Sequence, residues 1–195
     1  MTVVVPFIVG LGGTTRPGST SERALQAALA HAQALGCETL ALTGPQLPSD
    51  IFDPTQPERS EAARTLVAAL RRADGVLIAT PAYHGGLSGL VKNALDFTED
   101  LRGDERVYLQ GRAVGCIVCA EGAQAMGSTL ASLRAIVHAL RGWPTPFGAT
   151  INSSAKPFGG PGQPTDAAAV QACELVAAEV VGFARMAAAL RVQGR

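Results

Sequence analysis

Five short apolar runs, each separated from the next by a helical stripe, constrain this chain more than any other feature. Residues 3–10 are apolar and β-branched and run into glycines, which reads as a buried strand. Ser19 or Ser21 then caps a helix with the stripe Ala24, Leu25, Ala28, Leu29, Ala32 and Leu35, stopped by Gly36. Residues 38–42, 75–80, 112–119 and 143–151 read as four further strands, the third of the five ended by Pro81 and the last weakened by Pro144 and Pro146. Helices are expected from Ser60, over 89–97, over 128–140 and over 165–191, with long loops at 45–57 and 152–164. Strands joined by single crossover helices are most simply parallel, with right-handed crossovers. The expected architecture is a three-layer α/β/α sandwich, flavodoxin-like, around a five-stranded parallel sheet of order 2-1-3-4-5. Residues 1–195 are read as one domain, a length sufficient for a sizeable core.

Charge narrows the function classes. Sixteen basic against sixteen acidic side chains give 16 − 16 = 0. That argues against a nucleic-acid or anionic-membrane binder. Only 16% of residues are charged while 47% are hydrophobic, which predicts a buried homodimer or homotetramer interface. The longest uncharged run, 75–91, is broken by Pro81, His84, Gly85 and Gly86, so no transmembrane helix is expected there. The apolar start lacks a basic n-region and enters Gly12-Gly13, which reads as a first core strand and not as a signal peptide.

Cys116 and Cys119 form a C-x-x-C, a spacing used by zinc half-sites and redox pairs. On a strand a spacing of three sends the two sulfurs to opposite faces, so both read as small core residues. Reduced cysteines without a secretory signal point to the cytoplasm. Three histidines with no H-x-x-x-H spacing predict no metal site.

In an open parallel sheet, ligands bind beyond the carboxyl ends of the strands. Three loops there have unusual composition. Residues 12–21 offer five hydroxyls, Arg16, several glycines and a following helix N-terminus, a set suited to a phosphate monoester. No G-K-[ST] follows, so this is not a Walker loop. Thr15 stands where a dinucleotide fingerprint has glycine. Residues 81–89 combine a Pro-x-Tyr turn with Gly85, Gly86 and Gly89, leaving amides beside a flat surface that suits a planar heterocycle. His84 there is either a proton donor or lining; Lys92 and Asn93 cap or pack. Residues 120–127, ending before Ser128, are rich in small residues and either close on a ring or form an ordinary turn.

Two of these stretches resemble the NAD(P)H-dependent FMN reductase family of flavodoxin-like proteins, which includes quinone and chromate reductases and azoreductases. Residues 13–21, with Arg16, Ser19 and Ser21, are similar to the family's G-S-x-R-x-x-S-x-[NS]. Residues 81–96, with Pro81, Tyr83, Gly89, Lys92, Asn93 and Asp96, are similar to P-x-Y-x-x-x-x-x-G-x-x-K-N-x-x-D. The resemblance implies FMN held by its phosphate at Thr14, Arg16, Ser19 and Ser21. It implies a ring lying along Pro81, Ala82, Tyr83, His84 and Gly85, with Glu121 and Gly122 at the pyrimidine edge. Glu121 departs from the family's small or hydroxyl residue. The implied chemistry is hydride transfer from NAD(P)H to the flavin and onward to a small acceptor such as a flavin or quinone, with no catalytic side chain. The resemblance leaves three alternatives open: free FMN shuttled to a flavin-dependent monooxygenase, FMN kept bound for quinone, azo or metal-ion reduction, or a flavodoxin-like electron carrier. Phe52 and Phe158, in the two long loops, are either aromatic lips over the ring or plugs in the core.

Overall fold

A computed structural model describes residues 5–159 and 165–193. The chain order is β1 (Phe7–Gly12), α1 (Thr20–Ala34), β2 (Glu38–Thr43), α2 (Glu61–Arg72), β3 (Gly75–Tyr83), β4 (Gly86–Leu87), α3 (Gly89–Asp96), β5 (Ala113–Ala120), α4 (Ala123–Ala139), β6 (Trp143–Pro144), β7 (Ala149–Asn152) and α5 (Ala167–Gln193). Short 3₁₀ turns follow β2 and α3. Residues 3 and 4 of the first expected strand, and residues 160–164 of the last expected loop, lie outside the described residues.

The central strands run parallel in the order β2-β1-β3-β5, with β6 and β7 beside β5. The expected 2-1-3-4-5 arrangement is present, but the sheet has seven strand segments and not five. The fifth strand is split. β6 pairs with Ala113 and Val114, β7 with residues 117–120, and the stretch between them holds Pro146, which has no N–H for the ladder. The other extra segment is a small antiparallel hairpin, β3 against β4, with Ala82 opposite Leu87. Pro81 does not end β3, which continues to Tyr83. β1 stops at Gly12, opposite Ala79, so Pro81 has a strand neighbour only in β5, and proline is tolerated on such an edge.

Side-chain alternation divides the core. Phe7, Val9, Leu11, Val114, Cys116 and Val118 face α2, α3 and α4, while Ile8, Ala113, Ile117 and Cys119 face α1 and α5. The two C-x-x-C sulfurs therefore lie on opposite faces of the sheet, and all four cysteines are free and buried. α1, α2 and α3 each begin on a serine, Ser19, Ser60 and Ser88, whose hydroxyl accepts a first-turn amide. Gly115 lets α5 approach β5: a Cβ there would overlap the Val176 side chain. α5 is long and apolar enough to cross a membrane by composition. Its Cys173, Val176, Ala177, Val180, Val181 and Ala184 are packed on the sheet as a core helix.

α4 begins at Ala123, five residues before the expected Ser128. Ala123, Gln124, Ala125 and Met126 are good helix formers and carry the first turn themselves. Ser128 is a mid-helix residue whose hydroxyl donates to Ala125 O at 3.2 Å.

Candidate functional site

The loop after β1 is built around its own hydroxyls. Thr14 Oγ1 accepts the Arg16 amide at 3.0 Å and fixes a tight turn. Glu22, in the first turn of α1, accepts the Gly18 amide at 2.7 Å and the Thr43 hydroxyl at 3.4 Å, which anchors the loop from below. Ser19 and Ser21, 3% and 2% exposed, stand 3.4 Å apart through their hydroxyl oxygens. The amides of Thr20 and Ser21 bond no described residue, as expected of a helix first turn. Arg16 is exposed and its guanidinium pairs with no described residue. The loop thus presents a cation, hydroxyls and helix N-terminal amides on one side.

The second segment is the β3–β4 hairpin. Its two turn residues, His84 (φ 52°) and Gly85 (φ 80°), both have positive φ, the pattern of a type I′ turn that matches strand twist. Thr80 Oγ1 accepts the Ser88 amide at 3.0 Å and donates to Pro81 O at 2.9 Å, so a buried hydroxyl sets where the hairpin leaves the sheet. Ser128 Oγ also lies 3.4 Å from Gly85 O, so its one hydroxyl hydrogen is shared between the Ala125 carbonyl and the hairpin tip. Tyr83, 55% exposed, is held at the rim with little packing of its own.

These segments enclose a cleft of about 410 Å³ at the carboxyl ends of β1, β3 and β5. Nine of the residues read from the sequence line it: Thr14, Arg16, Ser19, Ser21, Pro81, Ala82, Tyr83, Glu121 and Gly122. His84 and Gly85 do not; they sit exposed at the hairpin tip because they are its turn. Thr20 of the first expected loop and Ala120 and Ala125 of the third also line the cleft, as do Cys119 and Ser153, which were not anticipated. Cys119 stands at the end of β5 and Ser153 follows β7, so the strand-end rule could have found them. Arg16 is the lining cation and Glu121 the lining carboxylate, which gives the cleft a basic and an acidic side. Burial pushes the Cys119 thiol up to about 12, so it is a neutral wall group.

Lys92 and Asn93 of the second motif turn away from the cleft. Lys92 Nζ bonds Asp96 Oδ1 at 2.6 Å along α3, and Asn93 bonds the segment between β2 and α2. Phe52 packs edge-on against Phe97, with ring centroids 5.3 Å apart, under the Arg59 guanidinium at 4.9 Å. Phe158 packs against the cluster of α1 and α5. Neither lines the cleft. Within the chain both pack as plugs, and neither forms a lip over the chain's own cleft.

Residues 6–156 match the family model described as NADPH-dependent FMN reductase. The chain belongs to that family. Its members are FMN-dependent oxidoreductases fed by a nicotinamide cofactor, and both expected motifs fall within the matched stretch. An NADPH azoreductase of Bacillus sp. (strain OY1-2) is 46% identical over 37 residues, a stretch spanning 19% of this chain and 21% of that protein. The flavoenzyme NAD(P)H:(acceptor) oxidoreductase FerB of Paracoccus denitrificans superposes with a TM-score of 0.73 at 19% identity, covering 93% of this chain and 98% of that one. An NADH:FMN oxidoreductase superposes with a TM-score of 0.66 at 18% identity, covering 93% and 89%. At these identities the structural likeness speaks for the fold, while the family match carries the class.

Proposed function

We propose that the cleft holds one FMN and that the chain, acting as a single domain, passes reducing equivalents from NAD(P)H to a small second acceptor such as a flavin or quinone. The observation that carries this is the convergence of Arg16, Ser19 and Ser21 with Pro81–Tyr83 and Glu121 around one strand-end cleft. The donor set fits the cofactor: a guanidinium that pairs with no described residue, buried hydroxyls and first-turn amides match a phosphate dianion, and the β3–β4 hairpin offers a flat backbone edge. Bound FMN would supply the hydride-accepting chemistry. The protein residues bind and orient. Arg16 neutralises the phosphate, Ser19 and Ser21 direct hydrogen bonds to it, and the hairpin residues Pro81–Tyr83 wall the ring. Tyr83 lies at the solvent rim, where a flat nicotinamide or acceptor must stack parallel to the ring for hydride transfer. No side chain need act as nucleophile, base or metal ligand.

Whether FMN is kept bound or shuttled to a flavin-dependent monooxygenase belongs to this proposal, as do a cytoplasmic site of action and self-association. The second reading is a flavodoxin-like electron carrier. Arg16 in the phosphate loop and the zero net charge favour the enzyme. Adding NADH or NADPH to the FMN-loaded protein anaerobically, with no partner protein, separates the two. Bleaching of the flavin's visible absorbance is expected. A spectrum that stays oxidised with both nucleotides would leave the carrier.

A further inference from the structure

One charge in the cleft has no partner inside the described chain. Among the described residues, Glu121 is the one carboxylate lining the cleft. It is exposed and pairs with no described cation. It is not spent on the helix it precedes either, because α4 starts on Gly122 with no side-chain cap. Glu22, the acid beside the loop after β1, is by contrast bonded to the Gly18 amide and the Thr43 hydroxyl and does not line the cleft.

Sheet order places this charge. The loop bearing Arg16 leaves β1 and Glu121 follows β5, with β3 between them. Neighbouring strands lie about 4.8 Å apart, so the two strand ends are about 10 Å apart. That exceeds the Debye length of about 8 Å at physiological ionic strength, so Arg16 and Glu121 act as separate poles and not as a pair. Between the poles the wall is Pro81, Ala82, Tyr83 and, from α4, Ala125, an apolar surface that suits a flat ring. The cations Arg23 and Lys156 line a separate hollow with Gly18 and Phe158. A ring entering on the β5 side therefore meets a negative charge that no described side chain compensates. Such a charge discriminates among ligands, since like-charge repulsion gives specificity as readily as new contacts do.

We propose that Glu121 is a charge filter for the second acceptor. The cleft admits flat aromatic acceptors with a neutral ring, neutral quinones above all, and turns away those that carry a sulfonate or carboxylate on the ring. This rests on the FMN reading of the cleft and adds the substrate class. A nicotinamide donor passes the same filter, because its reduced ring is neutral and its negative charge sits on phosphates beyond the ribose. In turnover the quinone gains a hydride from the reduced cofactor and one proton from solvent and leaves as the hydroquinone, while the cofactor returns to its oxidised form.

Two redox-inert ligands of one skeleton test it: the anion naphthalenesulfonate and its neutral sulfonamide. Each is titrated into the FMN-saturated protein and read by perturbation of the flavin's visible band. In the wild type the sulfonamide should bind more tightly. Glu121→Gln, an isosteric change whose fold a thermal melt verifies, should shift the ratio of the two affinities toward the sulfonate by about three- to tenfold at low salt, the range for one charge pair near a protein surface. Glu121→Lys should shift it further, and about 0.5 M NaCl should close most of the wild-type gap. The ratio of kcat/KM for naphthoquinone and its sulfonate should move in the same direction. The proposal is overturned if the affinity ratio is the same in wild type and Glu121→Gln, if it moves the other way, or if neither ligand perturbs the FMN-loaded wild type. FMN titration separates this from the cofactor reading. A wild type that does not bind FMN sinks both, whereas FMN bound with an unmoved ratio sinks the filter alone.

Discussion

Asn93 Oδ1 accepts the Phe52 amide at 2.9 Å, joining α3 to the middle of the long segment between β2 and α2. The other end of the same carboxamide donates to Pro48 O at 3.2 Å and Asp50 O at 2.9 Å. Arg59 closes the same segment with a bidentate pair to Asp100, at 2.8 and 2.9 Å. The asparagine of the second motif is therefore a clamp on a loop and not a contact to the cleft.

Asn93→Ala should lower unfolding free energy by about 1–3 kcal/mol, the cost of leaving such groups unpaired, with FMN affinity nearly kept. Denaturant unfolding and FMN titration of the same sample check it. Phe52→Ala should lower the melting temperature and leave KM for nicotinamide and acceptor unchanged. Its cost should stay below the about 3–5 kcal/mol typical of a fully buried phenylalanine, because Phe52 is only half-buried. A raised KM with an unchanged melting temperature would restore the lip reading.

Among the described residues, Arg16 is the one cationic side chain lining the cleft. Charge-assisted bonds to a phosphate dianion are the strongest available to that loop. Arg16→Ala should weaken FMN binding by about 1.5–3 kcal/mol while the melting temperature of the apoprotein is kept, since no described residue pairs with its guanidinium. Titration of apoprotein with FMN reads the first and a thermal melt the second. Equal FMN affinity in the variant would move the phosphate elsewhere.

The sheet order and two sides of the cleft were legible because their determinants are local. β-branched runs ending in glycine mark the strands, and hydroxyls with Arg16 before a helix mark the loop that forms one side of the cleft. What was missed depends on tertiary context. Pro81 looked like a strand end because its freedom from a second neighbour depends on where β1 stops. Ser128 looked like a cap because capping residues also occur inside helices, and Ala123 to Met126 carry no cap signal beyond their propensity. The roles of Phe52 and Asn93 follow from a contact 41 residues apart in the chain, which no local pattern encodes.

His84 occupies the first turn position of the β3–β4 hairpin with φ 52°, where asparagine is tolerated better than other non-glycine residues. His84→Asn should leave turnover unchanged and hold or slightly raise the melting temperature. Steady-state assays with NADH and NADPH decide the matter. A large fall in kcat with FMN content preserved would make His84 a participant and not a turn residue.

The thiols give the chain an alkaline limit. Burial pushes Cys116 and Cys119 up from 9.0 to about 12 in the folded chain. Between those values the unfolded chain has lost protons that the folded chain still holds. The unfolded state therefore binds fewer protons, and stability falls as pH rises. The contribution is fully present below pH 9 and is lost as pH climbs through about 12. Cys116→Ala combined with Cys119→Ala should be less stable at neutral pH, from lost packing on both faces of the sheet, yet should lose stability less steeply above pH 9. Denaturant midpoints measured from pH 7 to 10.5 separate the two effects. Parallel pH profiles for wild type and double variant would show that these thiols do not set the alkaline slope. Loss of NAD(P)H-dependent turnover, with fold and FMN content kept, would make them a redox pair after all.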